Sequence, residues 1–167
     1  RLRPRYQNHI WSIDFVHDKL TNGRPYKILT VLGEYSREAL CVAVKPRMGN
    51  AEVLETLYPL FLKHGKPEFI RSDNGPEFAQ HLQISKKIKA AIYFAHPYCS
   101  WEKGSIEHAN KLIRQYVKKE DDLSIYTKEQ LVEFQHKINN RPREKLEYDC
   151  PKNIFYNLVN GNVAFAS

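Results

Sequence analysis

Cysteine is scarce in this 167-residue chain, and long apolar runs are missing altogether. The three cysteines, Cys41, Cys99 and Cys150, are odd in number and share no CxxC spacing. That pattern argues against a disulfide framework and for reduced thiols. The same cysteines, taken with His96 and His108, show no recognised zinc-ligand spacing. The longest uninterrupted apolar stretch, Ala39 to Val44, is far too short to span a bilayer. No signal-peptide pattern opens the chain, and no Gly/Ser-rich or Pro-rich linker, internal repeat or low-complexity tract divides it. The expectation is one domain, cytoplasmic and without membrane association. A start at Arg1 rather than at methionine suggests a processed or excised fragment, with residues 1–9 as a basic linker or arm.

What is present fits a globular protein. Apolar residues make up 42% and charged residues 27%, too rich a mixture for disorder. The net charge of +7 favours an anionic partner, and nucleic acid is the commonest one. Charge alone does not decide this, because many basic proteins bind no nucleic acid and the excess is spread evenly along the chain.

Periodicity orders the elements. Residues 10–17 alternate, with Trp11, Ile13 and Phe15 on one side and Ser12, Asp14 and Val16 on the other. Thr21-Asn-Gly-Arg24 is a turn signal, and Tyr26–Leu32 and Ala39–Val44 complete a three-stranded meander. Asn50 can cap a helix carrying Val53, Leu54, Leu57, Leu60 and Phe61, ending near Gly65, with a kink or late break at Pro59. A short strand, Pro67–Arg71, leads into the turn cluster Ser72–Pro76. Residues 77–89 suit one or two short helices, Ala91–Ala95 a strand and His96–Gly104 a loop. Helices are expected over 105–119 and 127–139. Thr127 and Gln130 form a capping box for the second, and Asn-Asn-Arg-Pro142 ends it. The order β-β-β-α-β-α-β-α-α describes an α/β domain with a mixed sheet.

Three acids fit a purely structural role poorly. Asp14 lies inside a hydrophobic strand, where an unpaired charge is costly. Asp73 follows a strand at its carboxyl end, where α/β folds place ligand-contacting groups. Glu107 stands near the start of the long helix. There, about 100° per residue puts Ile106, Ala109, Leu112, Ile113, Tyr116 and Val117 on an apolar arc. The opposite arc gathers Lys103, Asn110, Lys111, Arg114 and Lys118 around Glu107. Read alone, this arc is either a solvated salt-bridge face or a phosphate-binding surface around a metal-binding carboxylate. Convergent carboxylates suit Mg²⁺, and two ions about 4 Å apart can activate one oxygen and stabilise another in phosphodiester attack. Asn110 either positions a phosphate or braces the loop. Trp101 either stacks on a base or packs against the helix. Asn74 and Gly75 make a tight turn or add a DNA contact.

The strand-borne Asp14, the Ser72-Asp-Asn-Gly-Pro-Glu-Phe78 segment and the Gly-Ser-Ile-Glu107-His-Ala-Asn110 segment resemble those of DDE transposases and retroviral-type integrases. Asp73 and Glu107 enclose 33 residues, close to the family spacing. His96–Gly104 is similar to the loop that precedes the glutamate helix. Asn139-Asn-Arg-Pro-Arg143 and Pro151-Lys-Asn-Ile-Phe155 resemble the segment that follows it in bacterial insertion-sequence transposases. Gly33 departs from the pattern, since relatives often carry aspartate there. The resemblance covers about residues 10–157 and leaves 158–167 as a tail. It implies an RNase H-like fold, a five-stranded mixed sheet flanked by helices, in which Asp14, Asp73 and Glu107 hold Mg²⁺ or Mn²⁺ as two ions. It also implies a homo-oligomer that cleaves element ends and joins the freed 3′-hydroxyls to target DNA. The alternatives are an RNase H-like nuclease that only hydrolyses, or an inactive DNA-binding module that retains the fold.

Overall fold

The computed structural model describes residues 3–72, 81–95, 104–119 and 126–164, with backbone alone at 81–84 and 159–164. Its elements are β1 (Ile10–Lys19), β2 (Pro25–Gly33), β3 (Ala39–Lys45), α1 (Asn50–His64), β4 (Phe69–Ser72), α2 (His81–Ile88), β5 (Ala91–Phe94), α3 (Gly104–Ile113), α4 (Lys128–Asn139) and α5 (Pro151–Ala164). The five strands form one sheet in the order β3-β2-β1-β4-β5. The β1/β2 and β2/β3 pairs are antiparallel, whereas β1/β4 and β4/β5 are parallel. The mixed sheet is therefore the one expected.

Strand alternation divides the interior between the two faces of the sheet. Trp11, Ile13 and Phe15 join Leu29 and Val31 against Val53, Leu57 and Leu60 of α1. On the other face Tyr26, Ile28 and Val42 meet Leu112 and Ile113 of α3 and Leu131 and Ile138 of α4, with Val16 packed alongside. Each such side chain, fully buried, contributes about 1.5–3 kcal/mol. Ser12, Asp14 and Val16 thus face the α3/α4 layer. The expected turn after β1 is present: Gly23 adopts φ +78°, and Leu20 N donates to Arg24 O at 2.8 Å.

Helix ends show where the sequence pattern held and where it slipped. Gly49, not Asn50, is the N-cap of α1, and its backbone N–H donates to Glu52 Oε2 at 2.8 Å. Glycine has no side chain to return the bond, so only this arm of a capping box exists. Helix α1 runs on through Pro59 and ends at Gly65, whose φ of +83° suits glycine and whose N–H reaches Phe61 O at 3.0 Å. The capping box of α4 is complete. Thr127 Oγ1 accepts from Gln130 N at 3.3 Å, and Gln130 Oε1 accepts from Thr127 N at 2.8 Å.

Helix α3 stops at Ile113 instead of reaching 119. Beyond it, Gln115 N bonds Leu112 O and Tyr116 N bonds Ile113 O, i→i+3 contacts that tighten the backbone. Val117 is nonetheless fully buried, so the expected apolar arc survives in a tighter path. Helix α5 was absent from the expected order, and it crosses the boundary drawn at 157/158.

The start of sheet edge β3 is covered by side chains. Asn139 Oδ1 accepts from Ala39 N at 2.8 Å while Asn139 Nδ2 donates to Ala39 O at 2.9 Å, so the amide imitates a neighbouring strand. Gln135, one turn earlier on α4, donates to Ala39 O and Leu40 O at 2.8 and 2.9 Å. The first two residues of an edge otherwise open to pairing with another chain are thereby covered.

Candidate active site

The site begins with a polar residue that alternation turns toward a helix. Asp14 pairs with Thr30 across the β1/β2 ladder and points to α3, where Asn110 Nδ2 donates to Asp14 Oδ2 at 2.7 Å. Asn110 lies one turn beyond Glu107, so both occupy the same helix face. Glu107 is exposed, and it lines an open depression of about 400 Å³ with Val16, Asn110, Lys111 and Arg114. The structure thus bonds Asp14 to Asn110, on the helix face that also carries Glu107. Asp73, the third expected carboxylate, lies outside the described residues. So do Lys103, Trp101, Asn74, Gly75, Pro76, His96 and Cys99.

The expected basic residues divide into two kinds. Lys111 and Lys118 are exposed. Arg114 is turned inward, where Nη1 pairs with Asp18 Oδ2 at 2.7 Å and lies 3.4 Å from the Tyr26 hydroxyl. Tyr26 also donates to Asp18 at 3.0 Å. Burial alone would raise the Asp18 pKa, but hydrogen bonds from the Lys19 N–H, Tyr26 and Arg114, with the nearby guanidinium charge, bring it below the ordinary value. Asn110 likewise spends its amide N–H on Asp14.

A buried polar cluster beside the site went unnoticed in the sequence. Arg71 of β4, opposite Ser12 in the parallel register, donates from Nη1 to both Glu34 oxygens at 2.7 and 2.9 Å, and the Ser12 hydroxyl donates to Glu34 as well. The Arg71 and Glu34 side chains are only 8% and 5% exposed, so each charge depends on the other. The available signal was a charge inside the short apolar strand that ends at Ser72. His108 has a shifted side-chain pKa too. Burial first, then Arg143, Lys111, Lys145 and Arg37, lower its pKa.

Among the described residues, no three of His, Cys, Asp and Glu gather as a metal cage. Two of the expected ligands suit a divalent cation in kind. Asp14 and Glu107 offer hard carboxylate oxygens, and the Asn110 amide holds the first of them in a fixed orientation.

Sheet order, parallel β1/β4 pairing and an acid-bearing helix over the first strand define the class: an RNase H-like catalytic-core fold. The magnesium complex of the HTLV-2 integrase catalytic core domain superposes with a TM-score of 0.68, covering 92% of this chain and 99% of that one at 19% identity. Residues 4–100 match the family model of the integrase core domain, and the chain belongs to that family. Glu107 lies beyond the matched residues.

Among curated relatives, the transposase for insertion sequence element IS4351 of Bacteroides fragilis is 48% identical over 99 residues, 59% of this chain and 30% of that protein. The transposase InsI for insertion sequence element IS30C of Escherichia coli K12 is 39% identical over 141 residues, 82% of this chain and 36% of that protein. The chain spans about a third of the length of these relatives.

Proposed function

We propose that this chain, with residues 10–157 as its core, is the catalytic part of a cytoplasmic DNA transposase. It acts as a homo-oligomer that cleaves element ends and joins their 3′-hydroxyls to target DNA. Residues 1–9 serve as a basic arm, and 158–167 form a tail that begins within α5. The observation that carries the reading is the Asn110–Asp14 bond, which docks the Glu107 face of α3 against the strand-borne carboxylate. Strand β4 ends one residue before Asp73 in a register that pairs Ser12 with Arg71. Asp14, Asp73 and Glu107 would together hold Mg²⁺ or Mn²⁺, as two ions.

Bound there, the divalent ions would supply an activated oxygen nucleophile and a stabilised leaving oxygen. Asn110 orients the Asp14 carboxylate. Lys111 and Lys118 present exposed cations to the phosphate backbone, joined in this reading by Lys103. Arg114 acts first on Asp18 and Tyr26, which fixes the turns after α3 against β1.

The test pairs binding with chemistry. Calorimetric titration with Mn²⁺ is expected to show binding that Asp14→Asn and Glu107→Gln each weaken at least tenfold while circular dichroism stays unchanged. Element-end oligonucleotides incubated with plasmid and Mn²⁺ should give joined products with the parent protein and none with Glu107→Gln. Parental joining by Glu107→Gln would overturn the assignment, and nicking without joining by the parent would favour a hydrolytic nuclease.

A further inference from the structure

A second basic feature lies around the flank of α3 from Glu107. The first turn of α3, the turn between β2 and β3 and the chain after α4 enclose a cleft of about 420 Å³. Arg37, Arg143 and Lys145 line it with His108 and Ser105, and Glu144 is the one carboxylate among its described lining residues. Among the described residues, three cations and one acid line this concave space.

Arg143 is held in place. Its Nη2 donates to Ile138 O at 3.0 Å, and its Nη1 lies 3.2 Å from His108 Nε2. A guanidinium only donates, so Nε2 accepts and the neutral ring carries its proton on Nδ1. Two of the five N–H donors of Arg143 are engaged in these contacts, and the rest of the fork is fixed by them. A planar fork oriented in advance matches the oxygens of a phosphate better than a mobile lysine does.

We propose that this cleft is a seat for a phosphodiester of the DNA backbone, distinct from the Lys111/Lys118 surface and next to it around α3. At about 100° per residue His108 directly adjoins Glu107 on the helix, and Lys111 projects between the two regions. A strand lying over Glu107 therefore passes from Lys111 to the cleft without crossing an apolar surface. The Asn-Arg-Pro-Arg segment after α4 gains a binding role through Arg143, while Asn139, the last residue of α4, bonds the sheet edge.

This inference rests on the DNA reading above, and its test separates the two. A fluorescently labelled duplex oligonucleotide is titrated by anisotropy at several salt concentrations. Arg143→Ala also removes the bond to Ile138 O and risks the fold, so the variants are Arg37→Ala and Lys145→Glu, with Lys111→Ala alongside. Each cleft variant is expected to bind several-fold more weakly. Each should also lower the slope of log K against log salt by about 0.9, the value for one phosphate contact on duplex DNA. Unchanged affinity and slope in both cleft variants, with a loss in Lys111→Ala, would refute the cleft and leave the DNA reading standing. No change in any of the three would sink both. Inorganic phosphate binding abolished by Arg37→Ala, with oligonucleotide affinity unchanged, would reassign the cleft to a free anion and overturn the proposal.

Discussion

Burial sets two side chains of this protein far from their ordinary protonation, in opposite senses. Glu38 sits in the turn before β3 at 8% exposure, and burial raises its pKa from 4.5 to about 7 against the opposing pull of Lys63. The folded chain therefore holds this proton more tightly than the unfolded chain does. Its contribution is fully present below pH 4.5 and is lost as pH rises through 7. Glu38→Gln should be the more stable protein at pH 8, by up to about 3 kcal/mol, and nearly matched to the parent at pH 4.5. Urea denaturation at the two pH values checks this, and an identical pH dependence in both proteins would refute it. His64 works the other way: burial, then Lys63, lowers its pKa to about 4, so its contribution is present above 6.5 and lost in acid. The same scale shows what a sequence reveals of a site. Asp14 was legible because a charge in an alternating apolar strand demands a partner. The partner itself, Asn110, was not, since an amide 96 residues away carries no mark of where it will point.

At the scale of elements, legibility followed the strength of the local pattern. Strands β1 to β3 and helix α1 have clear periods and turn residues, and they appear where the sequence placed them within a few residues. The extension of α3 to 119 failed because Tyr116 and Val117 keep the apolar spacing while the backbone at Gln115 and Tyr116 takes i→i+3 bonds. Helix α5 was hidden by its own composition, with Asn153, Asn157, Asn160, Gly161 and Asn162 all weak helix formers. Its anchor is tertiary: Phe155 lies edge-on to His64 at 5.5 Å, against the last turn of α1. Asn139 has the clearest duty of any single side chain in α4. Asn139→Ala would leave the Ala39 N–H without its acceptor at the sheet edge, for a loss of about 1–3 kcal/mol. Faster hydrogen exchange at Ala39 should accompany the loss, and unchanged exchange would show that Asn139 does not close the edge.

Across the whole molecule, folding concentrates what the sequence spreads out. The +7 charge is even along the chain, yet residues from the β2/β3 turn, α3 and the segment after α4 bring their cations to the two flanks of one helix. The sheet separates this charged layer from the α1 core, and the Arg71–Glu34–Ser12 cluster joins three central strands or their ends beneath it. Arg71→Met should cost about 3–5 kcal/mol because it strands a buried carboxylate, whereas Arg71→Met combined with Glu34→Leu should recover much of that. A double-mutant cycle by denaturation checks this coupling; simple additivity would refute it. In a lineage under selection for folding, neither position can drift alone. Glu34 and Arg71, 37 residues apart, are in effect one inherited character, and related chains should keep both charges or replace both.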